Sequence, residues 1–212
     1  PGAVSIAQSS EMGPVYSPDE VSALAEVAHA NNLALHMDGA RLSNAAASLH
    51  VPVRAFTVDA GVDLVSFGLT KNGAMAAESV IVLNGDRVQG VDFLRKTSMQ
   101  LASKMRFLSA QFVAMLTDDL WLRSAGHANA MASRLRDGVA DLSGVTITQS
   151  VDANAVFVLL PEQVASRLQE GFHFYTWDQA TGEVRWMCAW DTTESDVGDF
   201  VAAVRGEIAS GA

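Results

Sequence analysis

Lysine and cysteine are the scarce residues of this chain. There are three lysines, Lys71, Lys96 and Lys104, and one cysteine, Cys188. A single cysteine excludes an intramolecular disulfide and fits a reducing compartment. Within Trp186-Met187-Cys188-Ala189-Trp190 it reads as a small buried hydrophobe rather than a reactive thiol. Positive charge is also short: the formal net charge is −10. No basic face of the kind nucleic-acid binders carry is visible, so no nucleic-acid partner is expected. No apolar run approaches the roughly 20 residues that cross a bilayer. The first residues lack the basic-then-apolar form of a secretion signal. The expectation is therefore a cytoplasmic protein with no membrane partner. No Gly-x-Ser-x-Gly elbow and no Walker loop occur. No group of His, Cys or carboxylate residues has metal-ligand spacing, and no metal is expected.

What is present suffices for a core: 49% of the residues are apolar and 18% charged, which argues against disorder. The residues Gly2 to Gln8 read as a strand; a strand at the very start needs neighbours, so the natural protein is expected to begin further upstream. Ser17-Pro18-Asp19-Glu20 is a capping box with proline at the first helical position. Val21, Leu24, Ala25 and Ala28 then recur at helical spacing up to Asn31-Asn32. Residues 33–38, 62–67 and 78–84 read as strands, with a short helix over 44–49. From Gln89 to Val139 the pattern is helical, and Leu101, Met105, Leu108, Phe112 and Met115 form one stripe facing a core or a subunit interface. Beyond Ser143-Gly144 the texture changes. Strands are expected over 145–149 and 155–160, a helix from Pro161 to Glu170, a hairpin about Thr181-Gly182, and a last helix capped by Thr192 or Thr193 and running through Val204. The reading is an α/β fold with a mostly parallel sheet over 1–140, followed by a small α+β domain over 141–212.

In such sheets ligands bind outside the carboxyl ends of the strands. Asp38 and Arg41 follow one apolar run, in His36-Met37-Asp38-Gly39-Ala40-Arg41, and Lys71 follows the next, in Phe67-Gly68-Leu69-Thr70-Lys71-Asn72-Gly73. A lysine amine attacks a carbonyl only when its pKa is lowered by cations or a dry pocket; the alternative is a turn lysine in solvent. A carboxylate at a strand end needs a partner. For Asp38 that partner is a pyridinium N–H, or Arg41, or the turn that follows, which it would cap. Arg41 offers a planar fork for a carboxylate or phosphate, and Arg185 is either a second fork or a surface arginine. His36 shares a strand face with Asp38, and a structural bond to a neighbouring strand is weighed ahead of catalysis.

Taken together these residues resemble the threonine aldolase family, within the β-eliminating lyase group of fold-type-I pyridoxal-phosphate enzymes. The likeness is carried by the three segments Glu11-Met12-Gly13-Pro14-Val15-Tyr16-Ser17, His36 to Arg41 and Phe67 to Gly73, and by Lys104 to Gln111, Asp118 to Leu122 and Arg185 to Thr193. The resemblance implies pyridoxal 5'-phosphate as cofactor, Lys71 as its Schiff-base lysine and Asp38 as partner of the pyridine nitrogen, with His36 and Arg41 beside the cofactor. It implies Arg41 and Arg185 as a clamp on the substrate carboxylate and Lys104 as reaching a neighbouring subunit's site. The reaction implied is cleavage of L-threonine or L-allo-threonine to glycine and an aldehyde by a homo-oligomer, dimer or tetramer. β-Elimination, racemisation and a non-catalytic fragment are the rivals. Family members carry a long segment before the position of Pro1, holding the loop around the cofactor phosphate and a histidine that stacks on the ring.

Overall fold

A computed structural model describes residues 2–211. The chain divides into two compact units. One comprises the residues up to Ser10 together with Val15–Arg123, the other Glu11–Pro14 together with the chain from Ser124.

The first unit is built on the sheet β1 (Ala3–Ala7), β2 (Ala34–Gly39), β3 (Leu64–Gly68) and β4 (Glu78–Val82), in that order. β1, β2 and β3 are parallel and β4 is antiparallel, as expected for a mostly parallel sheet. The reversal follows from length: residues 69–77 are too few for a crossover, which needs a dozen or more. Between β1 and β2 lies helix α1 (Pro18–Ala30), which starts at the capping box seen in the sequence: Ser17 Oγ accepts from Glu20 N–H, and Glu20 accepts from Ser17 N–H at 2.8 Å. Its buried residues Val21, Ala25 and Ala28 lie against Leu35, Met37, Val65 and Phe67. Those four occupy one face of β2 and β3, since side chains alternate along a strand. Helix α2 (Leu42–Leu49) follows β2 and starts two residues earlier than the expected 44.

The helical region after β4 is three helices, α3 (Val91–Thr97), α4 (Met105–Leu116) and α5 (Leu120–Val139). The apolar stripe is real from Met105 to Met115, with Phe112 and Met115 packed on the first core. Leu101 precedes α4 and is 50% exposed, so it is not part of that stripe.

The second unit has an antiparallel sheet, β5 (Thr146–Ile147), β6 (Ala155–Leu159), β8 (Glu183–Met187) and β7 (Tyr175–Asp178), in that order, with α6 (Glu162–Gly171) and α7 (Glu194–Gly211). Thr193 caps α7: its Oγ accepts from Asp196 N–H at 3.1 Å, and Asp196 accepts from Thr193 N–H at 2.8 Å. The expected boundary near residue 140 moves to Arg123/Ser124. The reason is packing. Met131, Ala132, Leu135 and Val139 of α5 lie in one core with Val156, Val158, Val184 and Trp186. Cys188 is buried in that core, and burial pushes its thiol up to about 11.

A buried carboxylate fastens the first unit at the end of the sheet opposite Asp38. Asp63, 1% exposed, accepts from Leu35 N–H and from His29 Nε2 at 2.8 Å each through Oδ2, and from Asn84 Nδ2 at 2.8 Å through Oδ1. Burial is the largest influence and raises its pKa, but the bonds from Leu35, His29 and Asn84 together outweigh it and hold the carboxyl below its ordinary value. A carboxyl depressed in the fold stabilises fully above its unfolded value of about 3.9 and loses that contribution as pH falls toward the folded value. Asp63→Ala is expected to cost about 3 kcal/mol in urea unfolding at pH 7, and the variant should lose the part of the wild-type stability slope below pH ~4 that belongs to this group. A variant as stable as the parent would remove the network from this role.

Candidate active site

Three of the residues singled out in the sequence sit where the first sheet's parallel strands run out. Asp38 is the penultimate residue of β2 and pairs in register with Ser66 of β3. Lys71 lies three residues past the end of β3, in a 3-10 turn over Thr70–Asn72. Arg41 precedes α2 and is half-buried. Parallel pairing is what brings the ends of β2 and β3 to one edge.

Each position is held by backbone hydrogen bonds. Asp38 is exposed; its Oδ1 accepts from Ala40 N–H at 2.9 Å, closing the turn after β2, while its carbonyl accepts from Gln8 N–H at 2.8 Å. Gln8 is completely buried, and its amide donates to Tyr16 O at 2.8 Å and accepts from Tyr16 N–H at 3.0 Å. This side chain takes the place of a ladder partner and fixes both ends of the loop that follows β1. The Lys71 turn is pinned by its neighbours. Leu69 is fully buried and donates its N–H to Ala77 O at 2.8 Å. Asn72, 4% exposed, donates to Trp121 O at 2.8 Å. Gly73 turns the chain at φ +108°, a conformation that carries steric cost for any residue with a Cβ. Lys71 itself makes no side-chain hydrogen bond to this anchor. It is exposed, and among the described residues its ammonium has no hydrogen-bond or ion-pair partner.

His36 is engaged on both sides. Its Nδ1 lies 2.8 Å from Ser5 Oγ of β1 and its Nε2 lies 2.9 Å from Ser66 Oγ of β3. The ring therefore ties three strands together on the same sheet face as Asp38. Lys104 immediately precedes α4 and is exposed. Arg185 belongs to β8 of the second unit. Its guanidinium carbon lies 4.2 Å from the centre of the Trp177 ring, and its Nε is buried without a partner. Burial lowers its pKa, against the opposing influence of Tyr175 and Glu11.

The sequence reading missed the anchors Gln8, Asn72, Ser5 and Ser66. Asn72 was visible only as part of an Asn-Gly turn, and nothing in composition marks a glutamine as a buried loop clasp. A cavity of about 330 Å³ in the second unit is lined by Leu135, Phe174, Trp186, Cys188, Val197 and Phe200 among others; none of the predicted site residues lines it. Among the described residues no group of three or more His, Cys, Asp or Glu could hold a metal ion, and no helix is long and apolar enough to cross a membrane.

The Asn72 anchor is testable on its own. Asn72→Ala leaves Trp121 O without its donor and is expected to cost roughly 1–3 kcal/mol. Faster amide exchange confined to residues 69–77 would accompany it. Unchanged exchange there would show that the turn holds without this bond.

A family model described as beta-eliminating lyase matches residues 1–163. Over 206 residues the chain is 43% identical to the low specificity L-threonine aldolase of a Pseudomonas species, a match that covers 97% of this chain and 59% of the relative. The chain thus spans less than two thirds of that relative's length. A solved threonine aldolase from Leishmania major superposes with a TM-score of 0.88 at 26% identity, covering 98% of this chain and 61% of that one. The Oryza sativa TDC structure with PLP and tryptamine shares the fold, with a TM-score of 0.73 at 14% identity and coverage of 98% and 50%. With a strand-end carboxylate, a pinned lysine turn and a family match over most of its length, the chain belongs to the beta-eliminating lyase family.

Proposed function

We propose that this chain carries the working groups of a pyridoxal-phosphate-dependent aldolase that splits L-threonine or L-allo-threonine into glycine and an aldehyde. The observation that carries the reading is the placement of the Lys71 turn: its backbone, fixed by buried Leu69 and Asn72, follows β3 at the sheet edge where Asp38 emerges. The relatives' names support the same reading.

The residues present fit the cofactor. Lys71 would hold its carbonyl carbon covalently and give way to the substrate amine. Asp38 would keep the ring nitrogen protonated, and a carboxylate already ordered by Ala40 N–H needs little rearrangement to do so. When bound, pyridoxal phosphate supplies an electron sink for the pair left behind as the Cα–Cβ bond breaks. His36, tied to Ser5 and Ser66, would keep the strand face beside Asp38 rigid under the cofactor. Arg41 and Arg185 would bind the substrate carboxylate through planar forks, and Lys104 would serve a neighbouring subunit's site. The apolar side chains exposed around α3 and α4, among them Phe93, Leu94, Met99 and Phe107, favour a homo-oligomer, because patches of this kind mark association surfaces. A cytoplasmic location is part of the proposal.

The test is spectroscopic and chemical. Adding pyridoxal phosphate should produce a long-wavelength absorbance band that Lys71→Ala abolishes. L-Threonine should then yield glycine and acetaldehyde, with turnover in the variant reduced at least ~10²-fold. A band that survives in Lys71→Ala removes the lysine from its role. 2-Oxobutyrate and ammonia as products would replace aldol cleavage by β-elimination, and no band at all would favour a non-catalytic fragment.

A further inference from the structure

We propose that Trp177 is a positioning residue for Arg185: its indole holds the guanidinium flat so that the terminal nitrogens meet a carboxylate end-on, and the Glu11-Met12-Gly13-Pro14 segment holds the indole. This rests on the reading of Arg185 as a carboxylate clamp. All the groups concerned belong to the second unit.

Register explains how the groups meet. Arg185 pairs with Phe157 of β6 on one side and with Tyr175 of β7 on the other. These three side chains share the sheet face opposite Val184 and Trp186, which point into the core. The irregularity between Thr176 and Asp178 of β7 leaves Trp177 as the extra residue, and a bulge of this kind re-aims a side chain. The indole thereby reaches the guanidinium, with the guanidinium carbon 4.2 Å from its centre.

Trp177 is itself fixed from two directions. Its ring meets Phe157 edge-on, at 5.6 Å between centroids and 80° between planes. Its Nε1–H donates to Met12 Sδ at 3.3 Å. Met12 reaches it because the backbone passes close over Phe157 at Gly13. A Cβ there would stand 3.2 Å from the Phe157 ring, and the φ of +97° disfavours one in any case. The Glu11-Met12-Gly13-Pro14 motif, which the Lys71 and Asp38 chemistry does not use, thus clamps the platform on which the arginine lies.

The burial pattern sets the direction of the fork. Arg185 Nε is sealed and has no hydrogen-bond partner, while the residue as a whole is half-buried. A ligand therefore meets the two terminal nitrogens rather than the Nε edge. An arginine with a free rotamer choice presents that geometry only part of the time; one stacked on an aromatic face presents it continuously.

The experiment compares two amines on the protein loaded with pyridoxal phosphate, followed by absorbance. Glycine carries a carboxylate and methylamine does not. Wild type should bind glycine well ahead of methylamine. Trp177→Leu should weaken glycine about tenfold and leave methylamine unchanged. Trp177→Phe, which keeps an aromatic face, should recover most of the loss, and Met12→Ala should fall between; these two decide the matter if Trp177→Leu does not fold. A folded Trp177→Leu with the wild-type glycine-to-methylamine ratio overturns the positioning role alone. A wild type that does not discriminate, or does not load, overturns the clamp reading and this inference with it.

Discussion

Parallel pairing of β2 with a strand on each side is the constraint on which the first unit depends. It sends one face of β2 and β3 (Leu35, Met37, Val65, Phe67) into the core under α1, and leaves the other to Ser5, His36, Asp38 and Ser66. A slip of one residue would expose Met37 and bury Asp38, because side chains alternate with period two. The apolar content that sets the register therefore also sets where Asp38 emerges. Parallel direction adds the second condition. Only strands running the same way finish at the same edge, so the turn after β3 arrives beside the turn after β2. β4, reversed by the short connection, contributes its first residues rather than its last to that edge.

Rigidity at the edge comes from buried polar groups, each bonded to backbone. Gln8 clasps Tyr16, Asn72 holds Trp121 O, and at the far end Asp63 holds Leu35 N–H. An unpaired amide or carboxylate in these places would be costly, so each group permits one arrangement of its loop. The loops proposed to carry chemistry are thus ordered by side chains to which the proposal gives no chemical part. His36 does the same for the strands, with one ring nitrogen for each neighbour.

Much of this was legible beforehand. The alternation in Leu33 to Asp38 and Val62 to Phe67, the capping box at Ser17 and the turn glycines are local signals, and the corresponding elements stand within a few residues of where they were expected. The strand-end placement of Asp38 and Lys71 was legible for the same reason. What was not legible depends on distant partners. Nothing near Asn72 announces Trp121, forty-nine residues on, and nothing near Trp177 announces Met12, one hundred and sixty-five residues back. The boundary at Arg123 was hidden because α5 is one uninterrupted helix from Leu120 to Val139, and its buried residues declare their allegiance only once β6 and β8 are folded against them. The break before α4 was hidden because Leu101 fits the stripe's spacing without being helical.

The two cations at the centre of the proposed chemistry are held in opposite ways, and the difference follows from what each can do. Lys71 stands exposed on a rigid turn with its ammonium unpaired among the described residues. An amine that must bond to carbon has to shed its proton, and a carboxylate close by would oppose that by stabilising the charged form. Arg185 is stacked on Trp177, with Glu11 and Tyr175 opposing the effect of burial on its charge. A guanidinium stays charged in proteins and has only to be aimed, so an aromatic platform and nearby negative charge serve it without penalty. Exchanging the two residue types would fail at both places. An arginine on the turn could not form the covalent bond, and a lysine on Trp177 would offer a point charge where a planar fork is needed to orient a carboxylate.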